Sequence, residues 1–167
     1  SGLKDSTAED ELRLWRRWQQ ALRGAAALSN FARRSGRFPL GGVGDVNLYA
    51  LFADHMYRGR QDDGACGFLC PVGLLVGDTY REFLAELIRH GELACAWTFE
   101  NERKLFPAIT NRVTFAIVVL RRSGHGDVQA AGLVHLPSDL SSPGRVYSLS
   151  GSDILAINPN SGTLPLF

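Results

Sequence analysis

The side chains that most often carry out chemistry are scattered along this 167-residue chain. The histidines have no repeated spacing, and neither an H-E-x-x-H motif nor a Cys/His cluster suited to zinc occurs. A G-x-S-x-G nucleophile elbow and a phosphate-loop lysine are also missing. The sequence therefore predicts no metal centre and no hydrolase site. We interpret Asp62-Asp63 as part of a turn and not as a catalytic pair.

A glycine cluster, Gly41-Gly42-Val43-Gly44, invites comparison with phosphate-binding loops. It follows a proline-containing loop instead of a strand, and its spacing is not G-x-G-x-x-G. We interpret it as a flexible turn ahead of a helix.

Positive charge is concentrated near the N terminus, although the net charge of the whole chain is only +1. Residues 12–40 contain seven arginines and no acidic residue. Such a stretch suits the phosphate backbone of a nucleic acid, and it is equally compatible with a solvated helix face. Both interpretations stay open at this point.

The composition is that of a globular protein, with 45% hydrophobic and 21% charged residues. Cys66, Cys70 and Cys95 lie in apolar runs without C-x-x-C spacing, which predicts reduced, buried residues of a cytoplasmic protein. No apolar run approaches the ~20 residues that a membrane span needs, and no signal peptide is evident. We therefore expect no membrane partner.

Residues 6–30 are predicted to form a helix, since apolar residues recur every three or four positions. Ser6 with Glu9, and Thr7 with Asp10, have the spacing of a capping box at its start. The apolar stripe is either core or a surface that another part of the protein covers. Its members are Leu12, Trp15, Trp18, Leu22 and Ala25.

From residue 45 onward, strands and helices alternate, which predicts an α/β fold with a largely parallel sheet. The same patterns divide the chain into a basic helical segment and loop (1–44), an α/β unit (45–122) and a β extension (123–167). The predicted helices span 46–58, 78–90 and 152–157. The predicted strands span 65–72, 93–99, 113–120, 128–136 and 145–149, with a charged linker at 100–104.

Taken together, these motifs resemble the N6-adenine DNA methyltransferases, especially restriction-modification methylases whose specificity region is fused to the catalytic domain. The resemblance rests on an ordered set: N-L-Y-x-x-F on a helix, a strand that ends in proline, and E-N-x-x-x-x-F-P before a β-branched strand. Residues 153–167 resemble the segment that leads into the target-recognition region. The motif residues are Asn47-Leu48-Tyr49-Ala50-Leu51-Phe52, Pro71, Glu100-Asn101 and Phe106-Pro107.

The resemblance implies the second half of a Rossmann-like, S-adenosylmethionine-dependent methyltransferase sheet, preceded by a helical insert. Asn47, Tyr49 and Phe52 would line or support the cofactor side, and Phe106 would contact a flipped-out adenine. Packing is the alternative role for the three aromatic residues. In the insert, we expect four arginines to face DNA phosphates: Arg16, Arg17, Arg33 and Arg34.

Three parts of such an enzyme are not found in this sequence: a glycine-rich turn after a first strand, an acidic ribose ligand, and an (Asp/Asn/Ser)-Pro-Pro-(Tyr/Phe) loop. The sequence thus suggests part of a site-specific adenine methyltransferase that is inactive alone. Its expected partners are double-stranded DNA and the remainder of the methyltransferase polypeptide. The alternatives are a non-enzymatic nucleic-acid or partner-binding module, and a degenerate structural subunit of a methylase complex.

Overall fold

The computed structural model describes residues 2–122 and 126–165, and of residues 2–6 it describes the backbone alone. In these ranges the chain forms five α-helices, five strands and three 3₁₀ turns. The helices are α1 (Gly2–Arg34), α2 (Leu48–Gly59), α3 (Gly73–Val76), α4 (Arg81–Arg89) and α5 (Gly151–Ile157). The strands are β1 (Ala65–Pro71), β2 (Leu93–Glu100), β3 (Thr114–Arg121), β4 (Val128–Val134) and β5 (Tyr147–Leu149). The 3₁₀ turns are Asp78–Tyr80, Asn101–Arg103 and Pro137–Ser141.

The strands form one sheet in the order β1-β3-β2-β4-β5. Among the described strands, only β2 and β4 pair in parallel, so the expectation of a largely parallel sheet is wrong. Helices α3 and α4 connect β1 to β2, and these two strands do run in the same direction. The connection from β2 to β3 holds only a 3₁₀ turn, so β3 returns antiparallel and enters the sheet between them.

The main core lies on one face of this sheet. Alternate residues of β3, namely Ala116, Val118 and Leu120, are fully buried there. Helices α2 to α5 pack against this face, and α4 contributes Phe83 and Leu87, which are also fully buried. The other face carries a smaller cluster around Phe99, Val134 and Phe115, and it leaves Leu69 of β1 58% exposed.

The three cysteines are unpaired thiols, as predicted. Cys70 and Cys95 are buried, and burial raises the pKa of each to about 12. Cys66 is only half-buried. Among the described residues, no helix combines the length and the apolar character that crossing a bilayer requires.

Helix α1 is about 50 Å long, and the part before its last turn projects from the rest of the fold. It begins before Ser6, so the capping boxes predicted at Ser6 and Thr7 fall inside the helix and are wrong. Trp15 and Trp18 are 57% and 55% exposed, which excludes the core interpretation of the apolar stripe within the described structure. The alternative, a surface covered by another part of the protein, stays open.

The last turn of α1 is fixed to the body by a turn that contains the glycine cluster. The turn ahead of α2 was predicted, but its flexibility was not correct, since Gly41 and Gly42 are buried. Ala32 is buried there, and the backbone N–H groups of Leu40 and Gly41 both donate to Asp54 Oδ2 at 2.9 Å. A Cβ atom on Gly41 would lie 2.3 Å from the carbonyl oxygen of Ala50. Glycine is therefore required at this contact between the turn and α2.

We expect Gly41→Ala to destabilise the protein by about 1–3 kcal/mol, because the added methyl group forces two backbone segments apart. The measurement is urea denaturation followed by fluorescence. Gly24→Ala is the matched control, since a Cβ at Gly24 meets nothing within 4 Å. That change should leave the midpoint unaltered or raise it, because alanine favours a helix over glycine. Equal midpoints for both variants would contradict the close approach.

Candidate functional site

An apolar pocket of about 220 Å³ lies at the carboxyl end of β1. Open α/β sheets commonly bind ligands at the carboxyl ends of their strands. The pocket is bounded by the end of β1, the connection from β2 to β3 and the start of β3. Its lining residues are Leu69, Cys70, Pro71, Asn101, Phe106, Ile109, Val113 and Phe115.

Phe106 is supported from one side and is open on the other. Its ring meets Phe115 edge-on, with ring centroids 5.1 Å apart and an interplanar angle of 80°. Phe115 in turn stacks on Phe99, with centroids 5.2 Å apart and planes 6° from parallel. Phe106 itself remains 40% exposed. This arrangement holds an aromatic surface ready to contact a flat apolar ligand.

Asn101 fixes the loop that carries Phe106. Its side chain is fully buried and accepts a hydrogen bond from the Phe106 backbone N–H at 2.9 Å. Its amide nitrogen donates to the carbonyl oxygens of Phe106 at 3.0 Å and Ile109 at 3.1 Å, with Thr110 at 3.3 Å. The sequence contains Asn101 within the E-N-x-x-x-x-F-P motif, but its positioning role was not predicted.

A second anchor joins this loop to the end of β4. His135 Nε2 lies 3.2 Å from Glu100 Oε2, and His135 Nδ1 lies 3.0 Å from Glu102 Oε2. These three side chains bring their ligand atoms within 4.8 Å of one another, a separation that also suits a shared cation. The contacts of the two imidazole nitrogens with these carboxylates already account for the geometry. The cluster thus ties both sides of Asn101 to the neighbouring strand.

Asn47, which is exposed, and Tyr49, which is half-buried, both make contact with Tyr80. Asn47 Nδ2 donates to the carbonyl oxygen of Asp45 at 2.9 Å and to the hydroxyl of Tyr80 at 3.3 Å. The ring of Tyr49 packs edge-on against Tyr80 with centroids 5.7 Å apart. Burial, together with a hydrogen bond to Tyr80, raises the pKa of Tyr49 to about 12. Both residues therefore attach the start of α2 to the buried ring of Tyr80.

Phe52 lies elsewhere, on an outer groove of about 350 Å³ that neither Asn47 nor Tyr49 lines. It is 61% exposed, and its neighbours in the groove include Phe31 and Leu48. The structure thus does not bring the three residues predicted for the cofactor side into one pocket. Their part in binding a cofactor stays a prediction.

The four arginines expected to face DNA differ in their surroundings. Arg16, Arg17 and Arg34 are exposed on α1. Arg33 Nη2 instead donates to the carbonyl oxygen of Gly44 at 2.6 Å, so its guanidinium holds the glycine turn. Arg23, which the prediction omitted, is exposed as well. Contact with DNA stays a prediction for all of them.

Comparison with known proteins gives a fold but no family. No protein-family model matches the sequence, and no curated protein matches it significantly. The methyltransferase subunit of a type I restriction-modification system from Streptococcus thermophilus is similar over 83% of this chain, with a TM-score of 0.55 and 15% identity. That alignment covers 35% of the subunit, so the chain spans about a third of its length.

Two further solved structures show weaker similarity over 55% of the chain. They are the type IIG restriction endonuclease BpuSI (TM-score 0.39, 20% identity, 11% of that chain) and a type I restriction-modification complex (TM-score 0.40, 21% identity, 19% of that chain). The chain therefore has a mixed α/β fold similar to part of a restriction-modification methyltransferase subunit.

We expect Asn101→Ala to destabilise the protein by about 2–3 kcal/mol, because it leaves several backbone groups without partners. The loss should be local, so amide hydrogen exchange across residues 102–113 should speed up more than exchange in the core helices. Asn111→Ala, a change at an exposed asparagine in the same loop, should shift stability by less than about 0.5 kcal/mol. Unchanged exchange in Asn101→Ala would show that the amide does not order the loop.

Proposed function

We propose that this chain is the C-terminal half of the catalytic domain of a site-specific DNA adenine-N6 methyltransferase from a restriction-modification system. The intact protein transfers a methyl group from S-adenosylmethionine to an adenine turned out of the double helix. The observation that carries the proposal is the open apolar pocket at the carboxyl end of β1, with Phe106 held at its rim.

The placement of the motifs supports this proposal. The N-L-Y-x-x-F segment opens α2, Pro71 ends β1, and the E-N-x-x-x-x-F-P segment forms the loop between β2 and β3. The last two segments meet at the pocket, although they lie about thirty residues apart in the sequence. The similarity of fold to a methyltransferase subunit agrees with this arrangement.

The edge of the sheet supports a larger domain. Within the described residues, β1 pairs only with β3, so its other edge presents unpaired backbone groups. Natural proteins rarely leave a long apolar edge strand uncovered. We infer that the remainder of the methyltransferase domain extends the sheet from β1 and brings the donor-binding half beside the pocket.

The pocket provides stacking but little hydrogen bonding. Base–aromatic stacking contributes about 1–3 kcal/mol, while extruding a paired base costs a few kcal/mol. Phe106 therefore offsets only part of the cost of extrusion. Asn101, a polar residue of the lining, already uses its amide within the loop. We therefore assign recognition of the adenine edge to groups beyond the described lining of this pocket.

We infer that the described residues do not form a site for S-adenosylmethionine by themselves. Asn47 and Tyr49 are engaged with Asp45 and Tyr80, and Phe52 lies on a separate groove. In the intact enzyme the cofactor supplies the methyl group, and we assign its binding chiefly to the other half. Asn47 and Tyr49 then act by holding α2 in place next to the cofactor side.

A second candidate is a non-enzymatic module that binds nucleic acid. It is favoured by the exposed basic character of α1, which carries no acidic residue from residue 12 to its end. The two functions differ in one consequence. Only the methyltransferase proposal requires an intact Phe106 pocket for transfer of methyl groups to DNA.

The isolated chain should show no measurable binding of S-adenosylmethionine at micromolar concentrations, since the donor-binding half is absent. Isothermal titration calorimetry is the appropriate measurement, with an intact restriction-modification adenine methyltransferase as positive control. A micromolar dissociation constant for this chain alone would overturn its assignment as half of the domain.

In the intact enzyme, Phe106→Ala should lower kcat/KM for methylation of a duplex oligonucleotide about 10- to 100-fold, the equivalent of about 1–3 kcal/mol of lost stacking. Fluorescence of 2-aminopurine at the target position should fall in parallel with the population of extruded base. Leu155→Ala, which trims a leucine that is 54% exposed on α5, is the control. Full activity in Phe106→Ala would contradict the proposed role of the pocket in binding the extruded base.

A further inference from the structure

Three arginines of α1 form a straight row on one face of the helix. Arg16 and Arg34 are eighteen residues apart, which is about five full turns, and Arg23 lies only about 20° from the line between them. All three are exposed, and none of their guanidinium groups forms a hydrogen bond or ion pair with another described residue. This set, Arg16, Arg23 and Arg34, is the arginine row.

The other arginines of α1 do not belong to the row. Arg17 points about 100° away from Arg16 around the helix. Arg13 is paired with Glu9 at 3.0 Å, and Arg33 is bonded to Gly44. The exposed ring of Trp18 lies about 160° from Arg16, so Trp18 and the arginine row occupy different faces.

The spacing within the row is uneven in an informative way. At a rise of 1.5 Å per residue, Arg16 and Arg23 are about 10.5 Å apart along the axis, and Arg23 and Arg34 are about 16.5 Å apart. The grooves of B-form DNA are about 6 Å and about 12 Å wide. Each distance between neighbouring arginines exceeds the corresponding groove width by about 4.5 Å. This excess is roughly the thickness of the phosphate backbone that borders a groove, so each distance matches the separation of phosphates across that groove.

We propose that α1 lies across duplex DNA with the arginine row on three successive crossings of the phosphate backbone. Arg16 and Arg23 bind phosphates on either side of the minor groove, and Arg23 and Arg34 bind phosphates on either side of the major groove. This inference rests on the proposed function for its choice of duplex DNA as partner. It adds Arg23 to the residues that bind phosphate and removes Arg17 and Arg33 from them.

The same geometry selects against duplex RNA. An A-form helix has a narrow, deep major groove and a wide, shallow minor groove, so its strands do not follow each other at these two spacings. The nearest acidic side chain on this face of α1 is Glu9, which lies about 10.5 Å along the axis from Arg16 and is paired with Arg13. Residues 12–40 contain no acidic residue, so no carboxylate lies between the arginines of the row.

The test is fluorescence anisotropy of the chain with a mixed-sequence DNA duplex over a series of salt concentrations. Each phosphate contact contributes about 0.9 to the slope of log K against log salt. Arg23→Gln should lower the slope by about 0.9, and Arg16→Gln/Arg23→Gln/Arg34→Gln by about 2.7. Arg17→Gln should leave it unchanged, as should Arg58→Gln, which removes an exposed arginine from α2. An unchanged slope in Arg23→Gln would overturn the proposal.

Moving the central arginine separates spacing from charge. Arg23→Gln/Ala27→Arg puts the three arginines at positions 16, 27 and 34, with gaps of eleven and then seven residues between them. This is the original spacing in reverse order, so the row still spans one major and one minor groove. The salt slope should therefore be restored. Arg23→Gln/Gln20→Arg carries the same charge at gaps of four and fourteen residues and should not restore it. Equal recovery by both variants would show that charge alone matters and would contradict the groove match.

Two further measurements keep this inference distinct from the proposed function. Phe106→Ala should retain the full salt slope, because the pocket lies apart from α1. If this variant loses methyl transfer but keeps the slope, the loss tests the proposed function, and the retained slope agrees with DNA binding by α1. A slope for duplex RNA equal to that for DNA would overturn the groove assignment. Circular dichroism of each variant should show unchanged helix content, since the substituted side chains are exposed.

Discussion

The double pairing of β3 is the interaction on which the rest of the structure depends. β3 hydrogen-bonds to β1 on one side and to β2 on the other, with Ile117 opposite both Leu69 and Trp97. This pairing brings the connection from β2 to β3 back over the carboxyl end of β1. The pocket exists because Phe115, at the start of β3, then lies between Pro71 and Phe99. Its aromatic rim is thus a consequence of strand order.

Helix α1 shows a different principle, in which local preference replaces tertiary packing. No described side chain before Ala32 is buried, so the helix depends on its own alanine-, leucine- and arginine-rich sequence and on its docked last turn. Long helices keep their side chains at fixed spacings without further support. An exposed helix anchored at one end is therefore suited to hold charges in a preset row, which reduces the ordering cost of binding.

Sequence patterns predicted the elements better than their assembly. The bounds of α2 and β1 to β3 agree with prediction to within two residues, because apolar periodicity reports burial directly. The direction of β3 was missed, since it depends on a partner chosen across the whole sheet. The caps at Ser6 and Thr7 were wrong because a four-residue motif matches often inside helices. The four bonds of Asn101 link residues whose approach no local pattern reveals.

The unpaired edge of β1 and the open side of the pocket are connected features. The side chains of Leu69 and Pro71 line the pocket from alternate positions of β1. The outer backbone edge of the same strand pairs with no other described strand. A strand that paired with this edge would satisfy those backbone groups and would also raise a wall beside Leu69. Completing the sheet and closing the apolar pocket would then be one event. Under the function proposed above, an enzyme built in this way would bind an extruded base well only with its donor-binding half in place, which would keep base extrusion coupled to methyl transfer.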